Sequence, residues 1–301
     1  MSMLKIGLIA EFNPFHNGHI FLLNKIKEKY PNSKIIVALS SNYTQRGEIA
    51  LVPFTKRKKI CKKFGVNKVI KLDFETSTQA AHIFAKGSIE KLKKLKIDLL
   101  FFGTTDTDDI NKYINATKTI SKNIDLYNQK VKYFLKQGRS FIYSCYEALK
   151  DFISEENIPQ DILGFEYTKY IINNNLNIKL DCIKRSIAHS NTETNGVYAS
   201  GTKLRSMIKE NKDISLFSPL KIKKFKKIEN TYLKFKKIVK KMSTTKLSKI
   251  ALMSEGMENL FKKNIEAKSY DEFIQLCTSK RYTSSRIKRV YLYVLKKKYK
   301  K

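Results

Sequence analysis

Acidic residues are scarce in this sequence: 27 Asp+Glu stand against 60 Lys+Arg, a formal net charge of +33. A chain so short of acid repels itself unless it meets a polyanion, so nucleic acid or an anionic membrane surface is the expected partner. An AT-rich genome would explain some excess of Lys, Asn and Ile, but not its uneven placement. Residues 211–301 hold 26 of the basic residues and only 7 of the acidic ones. Cysteine is also scarce. Cys61, Cys145, Cys182 and Cys277 lie far apart, which excludes paired zinc spacing and a small disulfide framework. Long apolar runs are missing. The opening "MSMLKIGLIAEF" is too short for a signal peptide, and no run approaches membrane-spanning length. A cytoplasmic protein without a membrane partner is expected. No internal repeat and no Pro- or Gly-rich linker is present. Histidine is rare as well, with four in the chain, yet His16 and His19 lie three apart in "EFNPFHNGHIFLL" (11–23).

What is present is a regular alternation. "LKIGLIA" (4–10), "KIIVALS" (34–40), "NKVIKL" (67–72) and "IDLLFFG" (97–103) are short, apolar and bounded by polar or turn residues, as buried parallel strands are. Helical patterns fill 18–29, 55–64 and 79–95 between them. This order predicts an α/β fold with a doubly wound parallel sheet, whose ligands bind beyond the carboxyl ends of the strands. Residues 108–175 read as mostly helical, "NIKLDCI" (177–183) as one more strand, 184–201 as a polar loop and 202–210 as a helix. From 213 onward only helices are expected. The stretch 221–242 places Phe225, Ile228, Leu233 and Phe235 among lysines, an amphipathic pattern with a very basic face. The expected division is a catalytic domain over 1–212 and a basic all-α domain over 213–301.

The stretch at 11–23 delivers its polar groups to the mouth of the sheet. Asn13-Pro14 forces a turn, and Gly18 permits close approach of the backbone. A helix starting near Gly18 or His19 aims its first N–H groups at the same space, which suits phosphate. Two imidazoles there donate hydrogen bonds to phosphate oxygens. In a nucleotidyl transfer they stabilise charge building on the α-phosphate and on leaving pyrophosphate.

The pattern resembles the H-x-G-H signature of the nucleotidylyltransferase superfamily. "ASGTKLRSMI" (199–208) resembles its second phosphate element, with Ser200 and Thr202 offering hydroxyls and Arg205 a fixed positive fork. The series "GLIAEFNPFHNGH", "QRGE" (45–48), "FFG" (101–103), "PQDILGFEY" (159–167) and "SKRYTSSRIKR" (279–289) is similar to the bacterial tRNA(Met) cytidine acetate ligase family. The resemblance implies an enzyme that activates acetate with ATP and acetylates N4 of the wobble cytidine of elongator tRNA(Met). It implies catalytic roles for His16, His19 and Arg205. It places ATP against Ile9, Ala10, Glu11, Phe12, Asn13, Pro14, Phe15, Asn17, Gly18, Ile20, Phe21 and Leu22, with both histidines. Gly103, Gln160, Asp161, Arg185, Ser200 and Thr202 complete that set, and Mg²⁺ is expected to bridge the ATP phosphates. The tRNA is assigned to Arg46, Arg281, Tyr282, Arg286 and Arg289, with Tyr282 stacking on a base. The role of Gln45 is open, between substrate or RNA binding and a plain loop turning at Gly47.

Three departures from the family pattern stand out. Gln160 replaces the usual asparagine, and Ser41 replaces a glycine. The sequence stops soon after "YLYVLKKKYKK", where relatives are expected to continue, so altered tRNA affinity or selectivity is expected. A small-molecule nucleotidylyltransferase and a catalytically weakened tRNA-binding homologue remain alternative readings.

Overall fold

The structure, a computed structural model, describes residues 3–185, 194–222 and 224–300. Strands β1 (Lys5–Ala10), β2 (Lys34–Leu39), β3 (Lys68–Lys71), β4 (Leu99–Thr104) and β5 (Lys179–Lys184) form one sheet in the order β3-β2-β1-β4-β5. Every neighbouring pair is parallel. The strands are continuous apolar runs because both faces are covered. Ile35, Val37 and Leu39 of β2 pack to one side, with Leu99 and Phe101 of β4. Ile36, Ala38, Leu100 and Phe102 pack to the other. Helices α1 (Asn17–Lys29) and α2 (Phe54–Lys63) cover the first side. The short α3 (Phe74–Ser77) follows β3, and α4 (Ala81–Lys93) covers the second side.

Between β4 and β5 run α5 (Ile110–Lys122), α6 (Ile124–Lys136), α7 (Phe141–Lys150) and α8 (Ile162–Asn173). The polar loop expected at 184–201 lies partly outside the described residues, and its described end forms a two-stranded hairpin of β6 (Thr194–Asn195) and β7 (Tyr198–Ala199). Next comes α9 (Gly201–Lys209). Beyond 213 the described chain holds α10 (Tyr232–Lys241), α11 (Thr244–Ser248), α12 (Met257–Asn264), α13 (Tyr270–Cys277) and α14 (Ser284–Leu295), joined around one aromatic core.

The helical reading of 221–242 needs correction. The helix begins only at Tyr232, and the described residues of 221–228 form no regular element. Ile222 and Phe225 pack against a separate cluster with Leu51, Leu204 and Phe217, while Ile228 joins the C-terminal core. One straight helix cannot serve both clusters. Leu233, placed in the apolar set, is 74% exposed; Tyr232, Phe235 and Val239 form the buried face instead.

The C-terminal helices dock on the carboxyl edge of the sheet. Tyr43, Ile49 and Phe74, from the loops after β2 and β3, pack against their core, and Phe74 meets Tyr293 of α14 at 5.0 Å between ring centroids. The order of strands reverses between β1 and β4, which places a crevice at their carboxyl ends.

Candidate active site

From Ala10 the chain crosses that crevice into α1. His16 is the N-cap, with extended backbone. Its Nδ1 accepts the Gly18 N–H at 3.1 Å, and its own N–H donates to His19 Nδ1 at 3.2 Å. This is a reciprocal capping box in which both side chains are imidazoles. With each Nδ1 accepting, the hydrogen-bond network assigns the remaining proton of each neutral ring to Nε2. The rings lie 3.8 Å apart, and Phe12 and Phe15 back His19 at 4.7 and 5.6 Å. Burial, reinforced by the charges of Arg205 and Arg185, lowers the His16 pKa to about 4. His16 is therefore a neutral hydrogen-bond donor at physiological pH.

Helix α9 starts against the same space. Ser200 caps it, its Oγ accepting from Lys203 N at 3.0 Å. A Cβ at Gly201 would sit 3.2 Å from Arg205 Nη1 and 3.9 Å from His16 Nε2, so glycine leaves room for the guanidinium at the helix start, next to the imidazole. Arg205 donates to Asn13 O at 3.1 Å and to Thr202 Oγ1 at 3.0 Å. The N-terminus of α9, two imidazoles and one guanidinium therefore converge, an arrangement suited to a polyphosphate, whereas the first N–H groups of α1, expected to face phosphate, are spent on Phe217 O and on His16.

Across the mouth, Arg185 donates to Gly103 O at 2.8 Å and pairs with Asp161 at 2.9 Å. Asp161 also caps α8 through Gly164 N. A Cβ at Gly103 would lie 3.0 Å from Arg185 Nε, so glycine here makes room for the arginine side chain. The Gln160 backbone N–H donates to Asp106 at 3.4 Å, and the residue is exposed.

Several expected ATP contacts are spent on structure. The Asn13 side chain accepts from Leu51 N. The Asn17 amide donates to Val197 O and Leu216 O, tying α1 to the hairpin and to the segment before Phe217. Phe12 and Phe15 are core residues, and Ala10, Ile20 and Leu22 pack on the same cluster. Ile9 packs on the opposite one, and Phe21 meets Tyr198. Pro14 is buried after a cis Asn13–Pro14 bond. These side chains shape the mouth through contacts within the protein.

Arg57 and Glu48, to which the sequence reading gave no role, hold the site together with Gln45, whose role it left open. Arg57 is fully buried and donates to the carbonyls of Glu11, Ser41 and Val52. The Gln45 N–H donates to the Glu11 carboxylate at 2.6 Å. Burial raises the Glu11 pKa, and that bond, Arg205 and Arg57 oppose the rise. Glu48 reaches Arg205 at 3.9 Å and Lys288 of α14 at 3.2 Å. Gly47 has φ +80°, and a Cβ there would lie 2.5 Å from Arg289 N. Arg289 in turn donates to Gln45 O at 3.2 Å. The loop "QRGE" is thus the seam between the sheet mouth and α14.

Arg46 is exposed on that loop, close enough for its charge to act on Arg205. Arg281 and Arg286 both pair with Glu255 and lie over the Tyr282 ring at 5.8 and 5.1 Å. Tyr282 itself is buried, its hydroxyl donating to Glu255 O at 2.6 Å. The expected stacking of Tyr282 on a base is therefore corrected: the ring packs into the C-terminal core. Burial, with Arg286 beside it, lowers the Arg289 pKa to about 10.

The chain resembles known proteins over nearly its whole length. A family model described as HIGH Nucleotidyl Transferase matches residues 3–301. The tRNA(Met) cytidine acetate ligase of Mycoplasma mobile is 50% identical over 295 residues, 97% of this chain and 98% of that protein. The crystal structure of Thermotoga maritima TmcAL in its apo form superposes with a TM-score of 0.89 at 28% identity, covering 99% of this chain and 76% of that one. The same protein bound with alpha-thio ATP gives 0.85 at 26% identity, with the same coverage. The extra length expected of relatives is thus present in the Thermotoga protein and nearly absent from the Mycoplasma one.

Proposed function

The chain belongs to the HIGH nucleotidyl transferases and, within them, to the tRNA(Met) cytidine acetate ligases, and on that premise we propose that it acetylates the wobble cytidine of elongator tRNA(Met) in two steps. In the first, an acetate oxygen attacks the α-phosphorus of ATP in line. The bond to the bridging oxygen breaks and pyrophosphate leaves. In the second, cytidine N4 attacks the acetyl carbonyl carbon and AMP leaves. The observation that carries this reading is the histidine pair at the helix start, with His19 Nδ1 held by the His16 N–H and His16 Nδ1 held by the Gly18 N–H.

In this reading His16 and His19 donate to oxygens whose charge grows as pyrophosphate departs. They need no reorganisation, because the helix cap already fixes them. The α9 N-terminus and Arg205 take the neighbouring oxygens, with Ser200 capping that helix and Thr202 accepting from Arg205. Mg²⁺ is proposed to arrive on the ATP phosphates. The backbone of residues 9–15, Gly18 and Gly103 lines the nucleotide, while Arg185, Asp161 and Gln160 close the far side. Arg46, Arg281, Arg286 and Arg289 supply positive charge for the RNA backbone. Tyr282 contributes by holding Arg281 and Arg286. In this reading the protein works in the cytoplasm, where tRNA, ATP and acetate meet.

The test is mass spectrometry of nucleosides from tRNA incubated with the protein, ATP and labelled acetate. Label in N4-acetylcytidine supports the reading. ATP turnover with no label in RNA would point to a small-molecule transferase, and tRNA binding without ATP turnover to a weakened homologue.

A further inference from the structure

The α6–α7 hairpin is unlike the rest of the catalytic unit. From Leu126 to Tyr146 there is no Asp or Glu and there are four Lys or Arg. Globular helices ordinarily hide their rings, yet this hairpin exposes them. Tyr133 is 58% exposed, Phe141 46% and Tyr143 40%. Cations already lie over two rings: Arg139 is 5.0 Å from the Tyr143 centroid, and Lys150 Nζ is 5.1 Å from that of Tyr146. The turn between the helices passes through Gly138 at φ +76°, with open space where a Cβ would stand. Lys130 and Lys150 are paired with Asp151 and with Glu147 and Glu155, so it is Arg139 beside the rings of Phe141 and Tyr143 that matches the two faces of an unpaired nucleotide, a flat base and an anionic backbone.

The hairpin also lies next to the reaction. Phe141 meets His82 at 5.5 Å between ring centroids. His82 is in the first turn of α4, three residues beyond Gln79, whose carbonyl accepts from the Gln45 amide. Gln45 is the residue that holds Glu11. The charge of Arg289, from α14, also acts on His82. Phe141 therefore touches the start of α4, and Gln79, just before that helix, ties it to the loop that holds Glu11.

We propose that the α6–α7 turn is a second RNA contact, on which unstacked loop bases beside the reacting cytidine rest against Phe141 and Tyr143 while Arg139 pairs with their phosphates. This rests on the reading of the protein as a tRNA-modifying enzyme. A membrane would be met by a continuous apolar face, whereas here cations sit on the rings themselves. A wobble base must leave its loop to react, so its neighbours lose stacking partners that a protein surface replaces.

The test uses the full chain with Phe141→Ala/Tyr143→Ala and, separately, Arg139→Gln. Filter binding of tRNA is measured at two salt concentrations, with thermal midpoint and ATP affinity as folding controls. The double variant is expected to weaken tRNA binding about tenfold or more, the loss of two base contacts. Arg139→Gln is expected to weaken it several-fold and to flatten the salt dependence. Photocrosslinking of 4-thiouridine tRNA is expected to label peptides within 137–146. Binding unchanged within about twofold overturns the proposal, as does a wild-type dimer that the double variant dissolves. If wild type makes no N4-acetylcytidine but the variants lose RNA, the enzymatic reading falls and this surface stands. If wild type acetylates and the variants bind equally well, the surface falls and the enzyme stands.

Discussion

Lowering the pH isolates the environment of His16. Unfolded, its imidazole takes a proton at about 6.5; folded, at about 4. Between those values the unfolded chain binds a proton that the native chain refuses, so acid removes stability. Linkage gives the size: His16 alone costs about 0.2 kcal/mol at pH 7, about 2 at pH 5, and about 3.4 well below pH 4. The perturbation is His16→Asn. Asparagine is a good N-cap, so the helix keeps its start while the titrating group disappears. The assay is urea unfolding of both proteins at pH 7 and pH 5. Histidine Cε1-proton NMR follows the same titration, with the resonance assigned by its loss in the variant. The gap between wild type and variant is expected to move by about 2 kcal/mol in the variant's favour on acidification. The wild-type His16 resonance is expected to stay put until well below pH 6. A gap independent of pH, or a resonance titrating near 6.5, would refute the neutral, buried donor on which the chemistry rests.

Other outcomes follow from the seam and the mouth. Gly47→Ala forces a Cβ against the α14 backbone at a positive φ; it is expected to lower stability by about 1–3 kcal/mol, read by chemical denaturation, and to reduce acetylation with it. Arg57→Met leaves the carbonyls of Glu11, Ser41 and Val52 without their donor and is expected to cost about 3–5 kcal/mol by the same measurement. Glu48→Gln removes the anion between Arg205 and Lys288; steady-state kinetics should show kcat falling about tenfold with a smaller change in the KM for ATP, because Arg205 loses its orientation. Gly103→Ala pushes Arg185 from its place beside Asp161 and is expected to raise the KM for ATP several-fold.

The sheet was readable because parallel strands covered on both faces are written as unbroken apolar runs, and each of the five expected strands appears. The histidine loop was readable because its residue types have few other uses between a strand and a helix. What escaped were properties set by distant partners. Arg57 stands in "FTKRKKICKK", where any basic residue reads as solvated, and only the carbonyls gathered from two loops make it a core residue. The task of "QRGE" depends on a helix more than two hundred residues away. Tyr282 resembled a stacking platform because arginines flank it, but those arginines cover a ring turned inward. Residues 221–228 have helical spacing of Ile and Phe, yet two separate cores claim them.

A ribosome delivers the loop at 44–48 long before it delivers the helix that fastens it; Gln45 and Arg289 are separated by 244 positions. The sheet, α1 and even α9 can assemble while that loop still lacks its anchor. Contacts of such long range form late, since the chain between them must be ordered first. During synthesis the protein therefore owns a nucleotide cradle before it owns a finished wall. Maturation of the wall and arrival of the basic helix are one event, so the loop at 44–48 takes its final shape only once α14 has been made.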